Sequence, residues 1–230
     1  MTAKIGKKEK TKMKKLLLIL AAMAAVSGAQ AQVIWTNPIT ATNPSLDNPF
    51  TTGQTFNTNV TVSGIGRGTG ITGNAGGDRY NAGGWNNADL AATIVDNAYF
   101  TFTLQANTGF EIDFNTFAYT GQASGTGPTG FAFRSSVDSF AANLGAPTAT
   151  GVSIDLSAAS FQNLTGPIEF RLYGFGASSA AGTFSVNDFT FSGNVAVVPE
   201  PSTYALLGLG LGALWVLRRQ RSHKEAAQNS

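Results

Sequence analysis

The strongest constraint on how this chain can fold is a period of two. Residues 99–104 read YFTFTL, which sets Phe100, Phe102 and Leu104 on one face of an extended segment and Thr101 and Thr103 on the other. That alternation is what a half-buried β-strand requires, because successive side chains point to opposite faces. Residues 60–65, 109–114, 131–134, 152–156 and 168–173 follow the same pattern. Residues 183–191 follow it with one slip. Phe184 and Val186 share one parity and Phe189 and Phe191 the other, so a β-bulge at Asn187 and Asp188 is needed to return all four to one core.

Clusters of Gly, Asn, Thr, Ser and Pro separate these runs, and only residues 87–92 and 157–163 offer a single helical turn. Many short strands joined by Gly-rich turns predict an all-β fold, an antiparallel β-sandwich of jelly-roll-like type. No fixed-period repeat is present, which argues against a β-helix.

Charge divides the chain into three. The formal net charge of +2 comes from its ends: seven lysines lie in the first fifteen positions, and Arg218, Arg219, Arg221 and Lys224 lie near the C-terminus. Residues 32–197 contain four arginines against ten acids, a balance of −6, with no lysine or histidine. An acidic body of this kind repels nucleic acid, so no nucleic-acid partner is expected. The chain has no cysteine, which removes disulfides, thiolate metal sites and cysteine nucleophiles. With histidine and lysine also missing from the body, catalytic triads and Schiff bases are excluded there.

Both ends read as addresses. Lys14 and Lys15, an eleven-residue apolar run from Leu16 to Val26, and the small residues up to Ala31 form the charged, hydrophobic and small-residue order of a secretory signal. Cleavage by signal peptidase is expected after Ala31, with Ala29 and Ala31 as the small residues and Gln32 as the new terminus. The run falls short of the roughly 20 residues of a membrane span. The Lys-rich leader leaves Met1 and Met13 as alternative starts.

At the other end stand Val198, Pro199, Glu200 and Pro201, then an apolar stretch, then Arg218, Arg219 and Arg221. The two prolines hold an extended, accessible segment. Residues 203–217 are expected to form a short transmembrane helix, with the arginines as the stop to transfer and residues 222–230 as a cytoplasmic tail. This order resembles the PEP-CTERM sorting signal over residues 198–221. The resemblance implies an exosortase-type membrane enzyme reading Pro199, Glu200 and Pro201. It also implies a Gram-negative cell with an extracellular polysaccharide matrix, and a protein held at the inner membrane before processing and then passed to the envelope or matrix. Residues 32–197 are left as one ectodomain.

Candidate chemistry within the ectodomain is sparse. Gly68, Gly70 and Gly73 match G-x-G-x-x-G after a strand, but no helix follows to hold a phosphate, and the segment reads as a glycine-rich connection. Glu111 and Asp113 share a strand face at a separation near the lower end of the range used by glycosidases, a pattern that a solvated strand face also produces. Glu169 and Arg171 suit an exposed ion pair. Asp188, or the loop at Asp47 and Asn48, could ligate a structural Ca²⁺, although the spacing of a calcium loop is missing and no cofactor is expected. Trp35, Trp85, Tyr80, Tyr99, Tyr119 and Tyr173 are the aromatics available to stack on a sugar. Among them Trp85, flanked by glycines and asparagines, is the candidate glycan contact, and burial against the sandwich edge is its competing reading.

The expected role is non-enzymatic: a structural or polysaccharide-associated protein of the envelope or matrix. The alternatives are a carboxylate-dependent glycan-active enzyme and a surface adhesin. For the adhesin, the Thr101 and Thr103 pair is too short a threonine ladder to argue from.

Overall fold

A computed structural model describes residues 31–198 and 208–212. The strands are β1 (Gln32–Asn37), β2 (Thr55–Phe56), β3 (Val60–Arg67), β4 (Thr72–Gly73), β5 (Tyr80–Gly83), β6 (Tyr99–Ala106), β7 (Phe110–Ala123), β8 (Gly130–Ser135), β9 (Gly151–Asp155), β10 (Ile168–Phe175) and β11 (Thr183–Val197). One α-helix, α1 (Leu90–Val95), starts where Asp89 accepts the Ala92 N–H at 2.9 Å, an N-cap that satisfies an orphan donor of the first turn. A single 3₁₀ turn at Ala159–Phe161 takes up the second helical candidate.

The strands form two antiparallel sheets packed as a sandwich. In one, β9, β7, β11 and β1 lie side by side, with β5 sharing the β1 edge of β11 and the short β2 and β4 outside. In the other the order is β3, β6, β10, β8. From β6 to β11 every connection crosses from one sheet to the other, which gives the jelly-roll-like interleaving.

The core is aromatic. Phe102 of β6 meets Phe117 of β7 at 5.1 Å and Phe189 of β11 at 4.9 Å, while Phe117 stacks on Phe133 of β8 at 4.5 Å and Trp35 of β1 sits edge-on to Phe189 at 4.7 Å. Offset and edge-to-face pairs add about 0.5–1.5 kcal/mol each to the burial of the rings themselves.

Bulges keep these rings inside. On β11, Val186 lies opposite Gly121 and Asp188 opposite Thr120, so Asn187 is the extra residue, and Phe184, Val186, Phe189 and Phe191 are all fully buried. The bulge stands where the sequence slips. It is also where the edge of β11 passes from β5, whose first residue Tyr80 lies opposite Val186, to β1, whose last residue Asn37 lies opposite Phe189. Two further bulges act in the same way. Asn115 on β7 lets Ile112 and Phe114 on one side and Phe117 and Tyr119 on the other face inward. On β1 the register shifts between Val33 and Trp35, so the consecutive Ile34 and Trp35 are both buried.

Deleting Asn187 turns one half of β11 to the wrong face. The expected outcome is loss of a cooperative thermal transition by circular dichroism. Asn187→Ser keeps the residue count and gives up only the side-chain acceptor for the Ser185 hydroxyl. It should melt within a few degrees of wild type, as the loss of one hydrogen bond worth about 1 kcal/mol implies.

Candidate functional site

The feature that the fold presents most clearly is the end of the sandwich from which the chain leaves. Gln32, the first residue of β1, pairs with Gly193, and β11 continues only to Val197. The N-terminal entry and the C-terminal exit therefore lie at one pole, four residues apart along β11, or roughly 13 Å at 3.3–3.4 Å per residue. Among the described residues, β11 beyond Gly193 is paired with β7 alone: Asn194 with Asp113, Val195 with Ile112, Ala196 with Glu111 and Val197 with Phe110. The last bond of the ladder runs from the Val198 N–H to the Gly109 carbonyl at 2.9 Å. Gly109 has φ +84° in the turn that opens β7, a conformation suited to glycine. Gly193 is needed for a different reason, since a Cβ there would come within 2.1 Å of the Asp113 carbonyl oxygen.

A shallow depression of about 360 Å³ opens at this pole, bordered by Ala31, Asp113, Asn115, Ser157, Gln162 and Asn194. Its polar groups hold the fold in place. Asp113 Oδ1 accepts the Asn163 N–H at 2.7 Å, and Gln162 Nε2 donates to the Phe114 carbonyl at 2.8 Å. Glu111 does not border the depression.

The other sequence candidates are placed as follows. Trp85 is fully buried: its ring meets Phe100 at 5.1 Å and Phe184 at 5.8 Å edge-on, and its Nε1–H donates to the Ala82 carbonyl at 2.7 Å. Gly174 of β10 leaves room for it, since a Cβ there would stand 3.0 Å from the indole. Of the two readings of Trp85, burial is the one seen, and no ring face is turned to solvent for a sugar. Trp35, Tyr80, Tyr119 and Tyr173 are buried as well, and Tyr99 is half-buried.

Glu169 and Arg171 form the expected ion pair at 2.7 Å. Thr101 donates to Glu169 at 3.2 Å, and the guanidinium lies over Tyr99 at 4.3 Å and Phe140 at 3.9 Å, so the pair fastens the segment after β8 to the outer face of the sheet.

At the other pole, Asp47 and Asn48 are engaged with an arginine. Arg67 Nη1 donates to the Ser45 carbonyl at 2.9 Å and to the Tyr80 hydroxyl at 3.0 Å, and that hydroxyl donates onward to the Asp47 carbonyl at 3.1 Å. Asn48 Oδ1 accepts the Arg67 N–H at 2.9 Å. A guanidinium among these oxygens opposes a Ca²⁺ ion there. Asp188 accepts the Thr120 hydroxyl. Among the described residues no group of three or more His, Cys, Asp or Glu is placed to hold a metal.

Gly68 and Gly70 serve close packing: a Cβ on either would come within about 2 Å of the carbonyl oxygens of Asn97 and Asp96 respectively, and their N–H groups donate to Tyr99 and Asn97.

Val198 closes the ladder, and the rest of the sorting motif follows it in sequence. Residues 197–221 match the PEP-CTERM protein-sorting motif. The match begins on the last residue of β11. The PEP-CTERM signal marks an exported protein handled by an exosortase-type membrane enzyme. No curated protein and no solved structure matches the chain. Pro199, Glu200, Pro201, Arg218, Arg219, Arg221 and the leader residue Ala29 lie outside the described residues, as do most of the expected span at 203–217. Residues 208–212 are helical, with Leu209 and Leu211 exposed. Among the described residues no helix is long and apolar enough to cross a membrane.

Burial raises three tyrosine hydroxyls, that of Tyr173 among them. Tyr80 is pushed up to about 12 against the pull of Arg67, and Tyr119, which donates to the Thr148 carbonyl at 2.6 Å, is likewise pushed up to about 12. The folded values lie above the unfolded value near 10, so this stabilisation is fully present below pH 10 and is lost as the pH rises toward 12. Urea titrations should show stability unaffected by these tyrosines up to about pH 10 and a fall of a few kcal/mol by pH 12, smaller in Tyr119→Phe. An equal fall in Tyr119→Phe would contradict the assignment.

Proposed function

We propose that this chain is a non-enzymatic protein of the bacterial envelope or extracellular matrix, with a sandwich that associates with polysaccharide or builds the matrix itself. The observation that carries this reading is the junction at Val198, where a closed β-domain passes directly into a sorting motif. Both chain ends leave from one pole, which suits a domain tethered at that pole to one membrane before it is processed. The −6 balance of the body keeps such a domain soluble once it is released.

The surroundings of the carboxylates support a structural role over hydrolysis. Asp89 and Asp138 cap backbone N–H groups, Asp113 fixes the Asn163 turn, and Glu169 is held by Arg171 and Thr101. A glycosidase needs one carboxyl of raised pKa facing a second across a bound sugar. Glu111 and Asp113 share a strand face, but Asp113 alone borders the depression. Asn, Thr and Ser side chains along the exposed loops suit hydrogen bonding to a hydrated polymer.

Two measurements on the whole protein in its own cells test this. Glu200→Ala should leave the precursor in the inner-membrane fraction, and unchanged release would contradict the sorting reading. The released wild type should be retained on the cells' exopolysaccharide without shortening it. Turnover of that polymer, abolished by Glu111→Gln, would establish the glycan-active alternative.

A further inference from the structure

Among the described residues, the tail of β11 has one edge paired with β7 and the other without a partner. In an antiparallel ladder the N–H and C=O of alternate residues point to opposite sides. The Val198 N–H is directed at Gly109, just before β7, so Ala196 and Asn194 are also directed at β7, and Val195 and Val197 present their N–H and C=O to the other side. The neighbour on that side is β1, and its pairing begins with Gln32 opposite Gly193. With signal cleavage after Ala31, β1 has no residue to set against Val195 or Val197.

Among the described residues no backbone donor or acceptor meets those groups. Native proteins protect open edges with charge, proline or a bulge. Here the open stretch reads Val195, Ala196, Val197 and Val198, with no charge before Pro199. Val197 is 65% exposed. The stretch is roughly 13 Å long, and it runs straight into the sorting motif.

We propose that this open edge is a docking surface for the membrane enzyme that processes the chain, which adds an extended backbone segment of its own beside Val195 and Val197 while it holds Pro199 to Pro201. Main-chain bonds of this kind bind an extended segment without demanding particular side chains, leaving the motif to supply specificity. The proposal rests on the sorting reading and adds to it a surface upstream of the motif.

Proline substitutions separate this idea from simple loosening of the strand. Val195→Pro removes a donor on the open edge and leaves the ladder to β7 complete, as edge positions allow. Ala196→Pro removes a donor to β7 and leaves the open edge intact. The full chain would be expressed in its own cells and conversion of precursor followed by pulse-chase, with protease resistance of residues 32–197 as the check on folding. Val195→Pro should slow conversion at least fivefold in a protease-resistant domain, and Ala196→Pro should be processed at least as fast as wild type. Wild-type conversion of Val195→Pro, or equal slowing by both, overturns the proposal. Glu200→Ala serves as the separate control: if conversion does not depend on it, the sorting reading itself fails.

Discussion

Strand β11 takes hydrogen bonds along both edges, from β7 on one side and from β5 and then β1 on the other, and the rest of the larger sheet is assembled on it. Its two buried apolar pairs of opposite parity, Phe184 with Val186 and Phe189 with Phe191, can share a core only because Asn187 is looped out between them. The same extra residue marks the handover from β5 to β1, so one local irregularity sets both the register of the core and the choice of neighbour. Packing against the smaller sheet then follows from the rings that β11 presents to Phe100, Phe102 and Phe170.

Polar groups are spent on the same task. Arg67 closes one pole through Tyr80, Ser45 and the Asp47 loop; Arg171 holds the segment after β8 through Glu169 and two aromatic faces; Tyr119 both donates to and accepts from the backbone of Thr148. Buried groups matched in this way rigidify a fold and specify a unique core. Among the described residues, their engagement leaves the edge of β11 at Val195 and Val197 as the unpaired backbone nearest the sorting motif.

Much of this was legible in the sequence. Regular alternation identified the strands from Tyr99, Val60 and Ile168, and the slip at Asn187 gave away its bulge because four large apolar residues flank it. β7 was legible only to Phe114, since the bulge at Asn115 breaks the pattern where Thr116 and Ala118 offer weak contrast. β1 was hidden because Ile34 and Trp35, both buried, mimic no period. Trp85 could not be placed from its neighbours: the glycines around it, read as an open loop, allow close backbone approach, and the space for its ring comes from Gly174, almost ninety residues away. The sorting signal was plain because its physics is local: prolines, an apolar run and arginines in fixed order.

The folded unit lies between the expected signal cleavage site and the PEP-CTERM motif. Among the described residues, its first strand begins at Gln32 and its last ladder bond is made by Val198. The most direct test is the intact mass of the protein recovered outside the inner membrane. A chain that begins at Gln32 and ends after Val198 but before the arginine cluster is predicted. A recovered chain that keeps Arg218, Arg219 and Arg221, or that starts within β1, would contradict the account.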